Sequence, residues 1–187
     1  LIRLGFASAH NTILFPGSGV DLNSYSYSHL VIHNKKLIFL FAGRLLRAKG
    51  ILEFIEAANN MMDMSSAEFW IAGPEDLQNP EGLSTKFLQS LVINQNIKFL
   101  GKVDNMIDLI RSSSVIVLPS YREGRPRIVE EACAIGRPVI TADSPGCRDS
   151  IVPNVTGHLV ETRSAQSLLT MLIRVDREQH LLPQMGM

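Results

Sequence analysis

The chain has 187 residues, 45% of them apolar and 19% charged, which is enough to bury one ordinary domain core and excludes a disordered chain. Lys plus Arg and Asp plus Glu each number 18, so no net field draws in a polyanion; nucleic-acid binding through bulk charge is excluded and any anion site must be local. The longest apolar stretches, such as Leu37 to Ala42 and Val115 to Leu118, fall far short of the ~18 residues needed to cross a bilayer.

The two cysteines, Cys133 and Cys147, have thirteen residues between them and match neither a zinc knuckle nor a redox CxxC pair, so a reducing compartment is the default. Asn154-Val155-Thr156 fits a glycosylation sequon, but nothing else points to secretion.

In chain order, residues 1–34 do not share the pattern of the rest. A short apolar stretch, Thr12 to Phe15, runs into Pro16-Gly17-Ser18-Gly19 and a Ser- and Tyr-rich stretch, which reads as an interdomain connection. The opening at Leu1, with no initiator Met and no charged leader, marks the chain as an expected piece of a longer polypeptide. From Lys36 onward, apolar runs alternate with stretches of helical period. The expected strands are Leu37 to Ala42, Glu68 to Ala72, Ile97 to Leu100, Val115 to Leu118, Pro138 to Thr141 and His158 to Val160. The first five are compact enough to be buried on both faces.

Between the strands lie expected helices over Ile51 to Met62, Gly82 to Ile93, Asn105 to Arg111 and Arg127 to Ile135, with a short turn near Pro145 to Ser150. Repeated strand then helix predicts an α/β, doubly wound, Rossmann-like parallel sheet of about six strands, with a tail after Arg174 that frays. Ligands of such sheets bind beyond the carboxyl ends of the strands. The loops that would line that rim are Gly43-Arg44, Gly73-Pro74-Glu75, Gly101-Lys102-Val103, Ser120 to Pro126 and Ala142 to Gly146.

Several motifs fail. Gly17-Ser18-Gly19 begins a GxGxxG pattern but puts Leu22 at the sixth position, and there is no GxxxxGK[ST], HExxH or GxSxG. His29 and His33 are spaced i, i+4 but lie in the connector with no supporting carboxylate, so no metal site is expected. What remains is charge at strand ends. Arg44 and Lys49 at one rim, beside a helix start, suit a phosphate or diphosphate, although solvated charges capping a loop fit the residue types as well.

The second feature is Ser120 to Ala132. Pro126 is expected in the first helical turn, with the free amides behind it aimed at the rim. Glu130 and Glu131 differ in register by ~100°, so one is expected to face the cleft and the other solvent. A carboxylate at a cleft suits paired hydroxyls, while an ordinary surface helix residue is the plainer reading of Glu131.

Taken together, Gly43-Arg44…Lys49-Gly50, Glu123-Gly124-x-Pro126…Glu131-Ala132, Gly136-Arg137-Pro138-Val139-Ile140 and Pro145-Gly146-Cys147-Arg148 resemble the second domain of retaining, nucleotide-sugar-dependent glycosyltransferases of the GT-B fold, family 4. The likeness covers about residues 12 to 170. Its strongest mark is the E-x7-E signature, Glu123 to Glu131. The wording around Tyr121 to Arg127 and the Pro145 to Arg148 turn are most similar to enzymes of bacterial polysaccharide and O-antigen assembly, many of which use UDP-sugars on lipid-linked acceptors.

The resemblance implies roles for particular residues. Arg44 and Lys49 would neutralise the donor diphosphate as the anomeric bond breaks, helped by the amides of Arg127 and Ile128. Glu131 would hold the ribose hydroxyls. Glu123, beside Gly124, would hold the hydroxyls of the transferred sugar, and backbone around Val103 would meet the base. Arg44, Lys49 and Glu123 are thus the expected catalytic group, with no cofactor and no metal. Where many relatives read EGFG, this chain has Glu123-Gly124-Arg125-Pro126, and Pro126 supplies no amide.

The domain division implied is 1–34 as the end of an N-terminal domain and connector, and 35–187 as the donor domain. The implied partners are a nucleotide-diphosphate sugar, a missing N-terminal acceptor domain, and a saccharide or lipid-linked acceptor, with no nucleic acid. The implied location is the cytoplasm or the inner face of the plasma membrane, with membrane association through the missing domain. An epimerase or phosphorylase on the same scaffold and a non-catalytic module that binds a nucleotide or a protein are the rival readings.

Overall fold

The computed structural model describes residues 5, 6, 8, 10, 12, 13, 17–32, 36–62 and 65–186. The Thr12 to Phe15 run and the His29/His33 spacing extend outside them. The apolar runs form strands β1 (Ile38–Ala42), β2 (Glu68–Ala72), β3 (Ile97–Gly101), β4 (Val115–Leu118), β5 (Val139–Ala142) and β6 (Gly157–Val160). Helices α1 (Ile51–Asn60), α2 (Thr85–Ser90), α3 (Met106–Ser112), α4 (Arg127–Ile135), α5 (Ala165–Arg177) and α6 (Leu182–Met185) connect or follow them.

Every strand pair is parallel and the order is β3-β2-β1-β4-β5-β6, the doubly wound order that the alternation predicts. Successive connections run outward from β1 on one side and from β4 on the other. The order therefore reverses between β1 and β4, and a crevice opens there at the carboxyl edge.

Burial differs from strand to strand. Every residue of β4 and β5 is buried, while only Ile97 of β3 is. The expectation that β3 is buried on both faces is therefore corrected: it is an edge strand with one neighbour, flanked by an α2 of only six residues. The core under α1 is aromatic. Phe39 stacks on Phe69 at 5.5 Å between ring centres, and Phe54 of α1 meets Phe41 and Phe69 at 5.7 and 6.1 Å.

The tail also departs from expectation. It does not fray after Arg174 but continues in α5 to Arg177, turns, and forms α6, with Leu182 only 2% exposed. Leu168, Leu172 and Val175 recur at helical spacing and are buried, while Leu169, Met171 and Ile173 between them are apolar and half-buried, so the period is blurred in the sequence. The Ser164 hydroxyl accepts from the Ser167 amide at 3.1 Å and caps the start.

Residues ahead of β1 dock on the rest of the fold. The Ser28 amide donates to the Ile135 carbonyl at 2.9 Å, and Arg111 donates to the Ser26 hydroxyl at 3.1 Å. Arg137, 2% exposed, donates to the carbonyls of Ser28 at 2.6 Å, Arg111 at 2.9 Å and Ser113 at 3.0 Å. Burial lowers the pKa of this guanidinium, and carbonyls at the ends of α3 and α4 stand in for a carboxylate partner.

Candidate nucleotide-sugar site

The carboxyl edge of the sheet is stitched together loop to loop. The Tyr121 amide donates to the Ala48 carbonyl at 2.9 Å, joining the loops after β1 and β4, and the Glu123 amide donates to Pro145 at 3.1 Å, joining those after β4 and β5. Below them Ser144 donates to the Ser120 carbonyl at 2.8 Å. Gly50, at φ +76°, marks how closely the loops after β1 and β4 approach: a Cβ there would stand 2.2 Å from the Pro119 carbonyl oxygen. On the other side the Leu45 amide donates to Pro74 at 3.0 Å and the Gly73 amide to Gly101 at 2.8 Å. The five loops expected to share one rim do so.

Lys49 and Glu123 are brought together across the point where the strand order reverses. Lys49 Nζ lies 2.5 Å from Glu123 Oε1, and the side chains are only 23% and 13% exposed. Arg44 is not brought to that pair. Its guanidinium, 55% exposed, pairs with Asp76 at 2.8 Å, so the two expected diphosphate cations take partners on opposite sides of β1.

Helix α4 has the expected bounds, Arg127–Ile135, and only the place of Pro126 differs. Pro126, at φ −74° and ψ 115°, is the cap residue rather than part of the first turn, and its carbonyl accepts from Val129 at 3.0 Å. The amides of Arg127 and Ile128 precede that first helical bond and have no partner within the helix. Only the cap position of the proline changes, because its missing N–H is needed in neither place.

The expectation that one of Glu130 and Glu131 faces solvent is overturned. Glu131 is 6% exposed and accepts from Arg127 Nε at 2.8 Å; Glu130 accepts from Arg125 Nε at 2.7 Å. Each glutamate has an arginine to cover it, so both turn inward from one helix. The reading of Glu131 as an ordinary surface residue falls with this. Tyr25, from the segment ahead of β1, stands beside the Glu131 end: burial, and then the Glu131 carboxylate, raise the pKa of its hydroxyl. Val103 follows β3 at the far end of the rim and packs partly against the core.

Four features of the site have no signal in the sequence: the Asp76 partner of Arg44, the Arg125–Glu130 pair, Tyr25 beside Glu131, and Glu53, which accepts from the Tyr121 hydroxyl. Asp76 lies 32 positions from Arg44, beyond any local spacing rule. Among the described residues no group of three or more His, Cys, Asp and Glu gathers as a metal-ligand set. Cys133 and Cys147 are free thiols whose pKa values burial raises. No described helix is long and apolar enough to cross a membrane.

The pattern of the family described as "Glycosyl transferases group 1" matches residues 28–186. The chain belongs to this family. Its sheet and loops are those of one half of a GT-B glycosyltransferase. It is 35% identical over 135 residues to the N,N'-diacetylbacillosaminyl-diphospho-undecaprenol alpha-1,3-N-acetylgalactosaminyltransferase of Campylobacter jejuni, covering 72% of this chain and 34% of the relative. It is 27% identical to the UDP-Gal:alpha-D-GlcNAc-diphosphoundecaprenol alpha-1,3-galactosyltransferase of Escherichia coli, covering 88% and 45%.

The chain thus spans about half or less of the length of these curated relatives. Among solved structures, the C-terminal domain of the group 1 family protein LpcC from Francisella tularensis matches with a TM-score of 0.73 at 22% identity, covering 90% of this chain and 93% of that one. Anabaena HepE in complex with UDP and glucose matches with a TM-score of 0.77 at 18% identity, covering 90% and 48%.

Proposed function

We propose that this chain is the donor-binding domain of a retaining glycosyltransferase. The enzyme would move a sugar from a nucleotide-diphosphate sugar, a UDP-sugar by preference, to a saccharide or lipid-linked saccharide acceptor in polysaccharide biosynthesis. Residues 35–187 form the donor domain, and 1–34 the end of an acceptor domain and its connector. The observation that carries this reading is the Lys49–Glu123 contact of 2.5 Å at the reversal point of the sheet, where open α/β sheets take their ligands.

In this reading Lys49 is the cation closest to the developing negative charge. It needs no reorganisation, because Glu123 already fixes its ammonium and two of its three N–H donors remain for phosphate. The amides of Arg127 and Ile128 add donors at the positive end of α4. Arg44, more exposed and held by Asp76, contributes as a second cation at the rim. Glu123 turns its other oxygen to the transferred sugar, and Glu131, held by Arg127, accepts from the ribose.

No metal or cofactor enters this scheme, since side-chain cations occupy the phosphate position. Relatives named for undecaprenol-linked substrates support a lipid-linked acceptor and a location at the cytoplasmic face of the membrane. A thermal-shift panel of UDP-, GDP- and ADP-sugars tests the reading. Stabilisation by one nucleotide series, lost in Lys49→Ala, is expected; no shift with any of them rejects it.

A further inference from the structure

Tyr121 sits two residues before Glu123 and is held from three directions. Its amide donates to the Ala48 carbonyl at 2.9 Å. Its hydroxyl donates to Glu53 Oε1 at 2.6 Å, reaching the first turn of α1, and the Arg163 guanidinium stacks over its ring at 4.7 Å from the centre. These holds come from elements 68 and more positions away in sequence or beyond β6, so the tyrosine ties α1 and the loop after β6 to the loop that carries Glu123. Arg163 is itself in the left-handed region, at φ +61°, where a non-glycine residue costs energy.

Glu53 identifies what the arrangement is for. Its second oxygen, Oε2, is buried without a hydrogen-bond partner among the described residues, so the Tyr121 hydroxyl is the anchor on which this carboxylate depends. A partly buried carboxylate kept at that cost for one hydroxyl is a fixture for the loop rather than a surface charge. Burial first, then Glu53, pushes the Tyr121 pKa up to about 12, so the hydroxyl remains a donor at any physiological pH.

We propose that Tyr121 is a positioning residue: latched between Glu53 and Arg163, it sets the height of the Ser120 to Gly124 loop and so the placement of Glu123 against the sugar of the donor. The inference rests on the donor-binding reading above, and it divides the site in two. Glu123 rides on the latched loop, whereas Glu131 and the amides of Arg127 and Ile128 belong to α4 and are held by Arg127 and the helix itself. Loosening the latch blurs recognition of the sugar and leaves recognition of the nucleotide in place.

The test is calorimetry on this chain with UDP and with the UDP-sugar that stabilises it most, for Tyr121→Phe, Glu53→Ala and Glu53→Gln. Tyr121→Phe and Glu53→Ala are each expected to reduce the UDP-sugar to UDP affinity ratio about fivefold, the equivalent of one hydrogen bond, with UDP affinity kept within about twofold. Glu53→Gln retains an acceptor for the hydroxyl and recovers most of the ratio. The double variant Tyr121→Phe/Glu53→Ala is no worse than either single one, because the two act as a unit.

Equal losses for UDP and UDP-sugar, or no loss for either, overturn the proposal, since a merely structural tyrosine moves both or neither. Amide hydrogen exchange is the readout that needs no ligand. Faster exchange at Tyr121 and Glu123 with α4 unchanged supports the latch, and unchanged exchange at those two amides rejects it. A wild-type chain that binds no nucleotide at all rejects the donor reading instead, and exchange alone then decides the latch.

Discussion

Lys49 and Glu123 come from loops 74 positions apart in sequence and meet at 2.5 Å across the crevice between β1 and β4. The two strands are hydrogen-bonded neighbours, so the loops from their carboxyl ends start side by side. Removing either partner leaves the other charge poorly solvated, and the pair is a liability for stability unless a ligand uses it.

The two rim cations are therefore expected to differ in weight. Lys49→Ala should weaken UDP binding by about 1.5 to 3 kcal/mol, the range for hydrogen bonds to charged groups. Arg44→Ala, at an exposed and already paired guanidinium, should cost less, about 0.5 to 1 kcal/mol. Calorimetry giving both variants wild-type affinity removes the phosphate role from this rim.

Glu131→Gln should weaken a nucleotide more than it weakens the free sugar phosphate, by about tenfold for loss of a charge-assisted pair to hydroxyls. The Arg127 contact tests the same point from the other side: Arg127→Ala frees the carboxylate and should lower nucleotide affinity without touching the sugar. The opposite preference in competition binding reassigns Glu131.

Gly50→Ala is expected to destabilise the fold by about 3 kcal/mol or more, because strain at positive φ adds to a collision with backbone. A methyl group there would stand 2.2 Å from the Pro119 carbonyl oxygen, with φ at +76°. Urea unfolding at neutral pH measures it; a loss under about 1 kcal/mol means that the loops after β1 and β4 do not approach this closely.

Stability should also fall in acid through Glu68. Burial raises the pKa of this carboxyl, but hydrogen bonds from Lys36, Lys98 and Trp70 outweigh it and hold the value at about 2, below the ordinary 4.5. A depressed carboxyl stabilises the fold fully above its unfolded pKa and loses that contribution as pH falls through the folded one. Between pH 4.5 and 2, wild type should therefore lose about 2 kcal/mol that Glu68→Gln does not. Parallel acid curves for the two proteins in urea titrations discard this assignment.

The sequence makes the sheet legible because burial on both faces requires continuous apolar runs, and β2 and β4 begin and end where those runs do. It does the same for α4, bounded by Pro126 and Gly136. It is silent on α5, whose buried stripe of Leu168, Leu172 and Val175 is blurred by the apolar Leu169, Met171 and Ile173 between its members. Its limit is clearest at Glu130 and Glu131. Helical register alone sends one of them to solvent, and only the approach of Arg125 and Arg127 allows both to turn inward.

By itself, then, the chain's pattern determines a parallel doubly wound sheet, the side on which its loops gather and the residue types they carry, because these follow from local period and from strand direction. Which charges meet is settled only in three dimensions. That Lys49 takes Glu123 while Arg44 takes Asp76, and that Tyr121 takes Glu53, depends on which strands are neighbours and how closely their loops approach. Those distances are set by packing between segments remote in sequence, and no spacing along the chain encodes them.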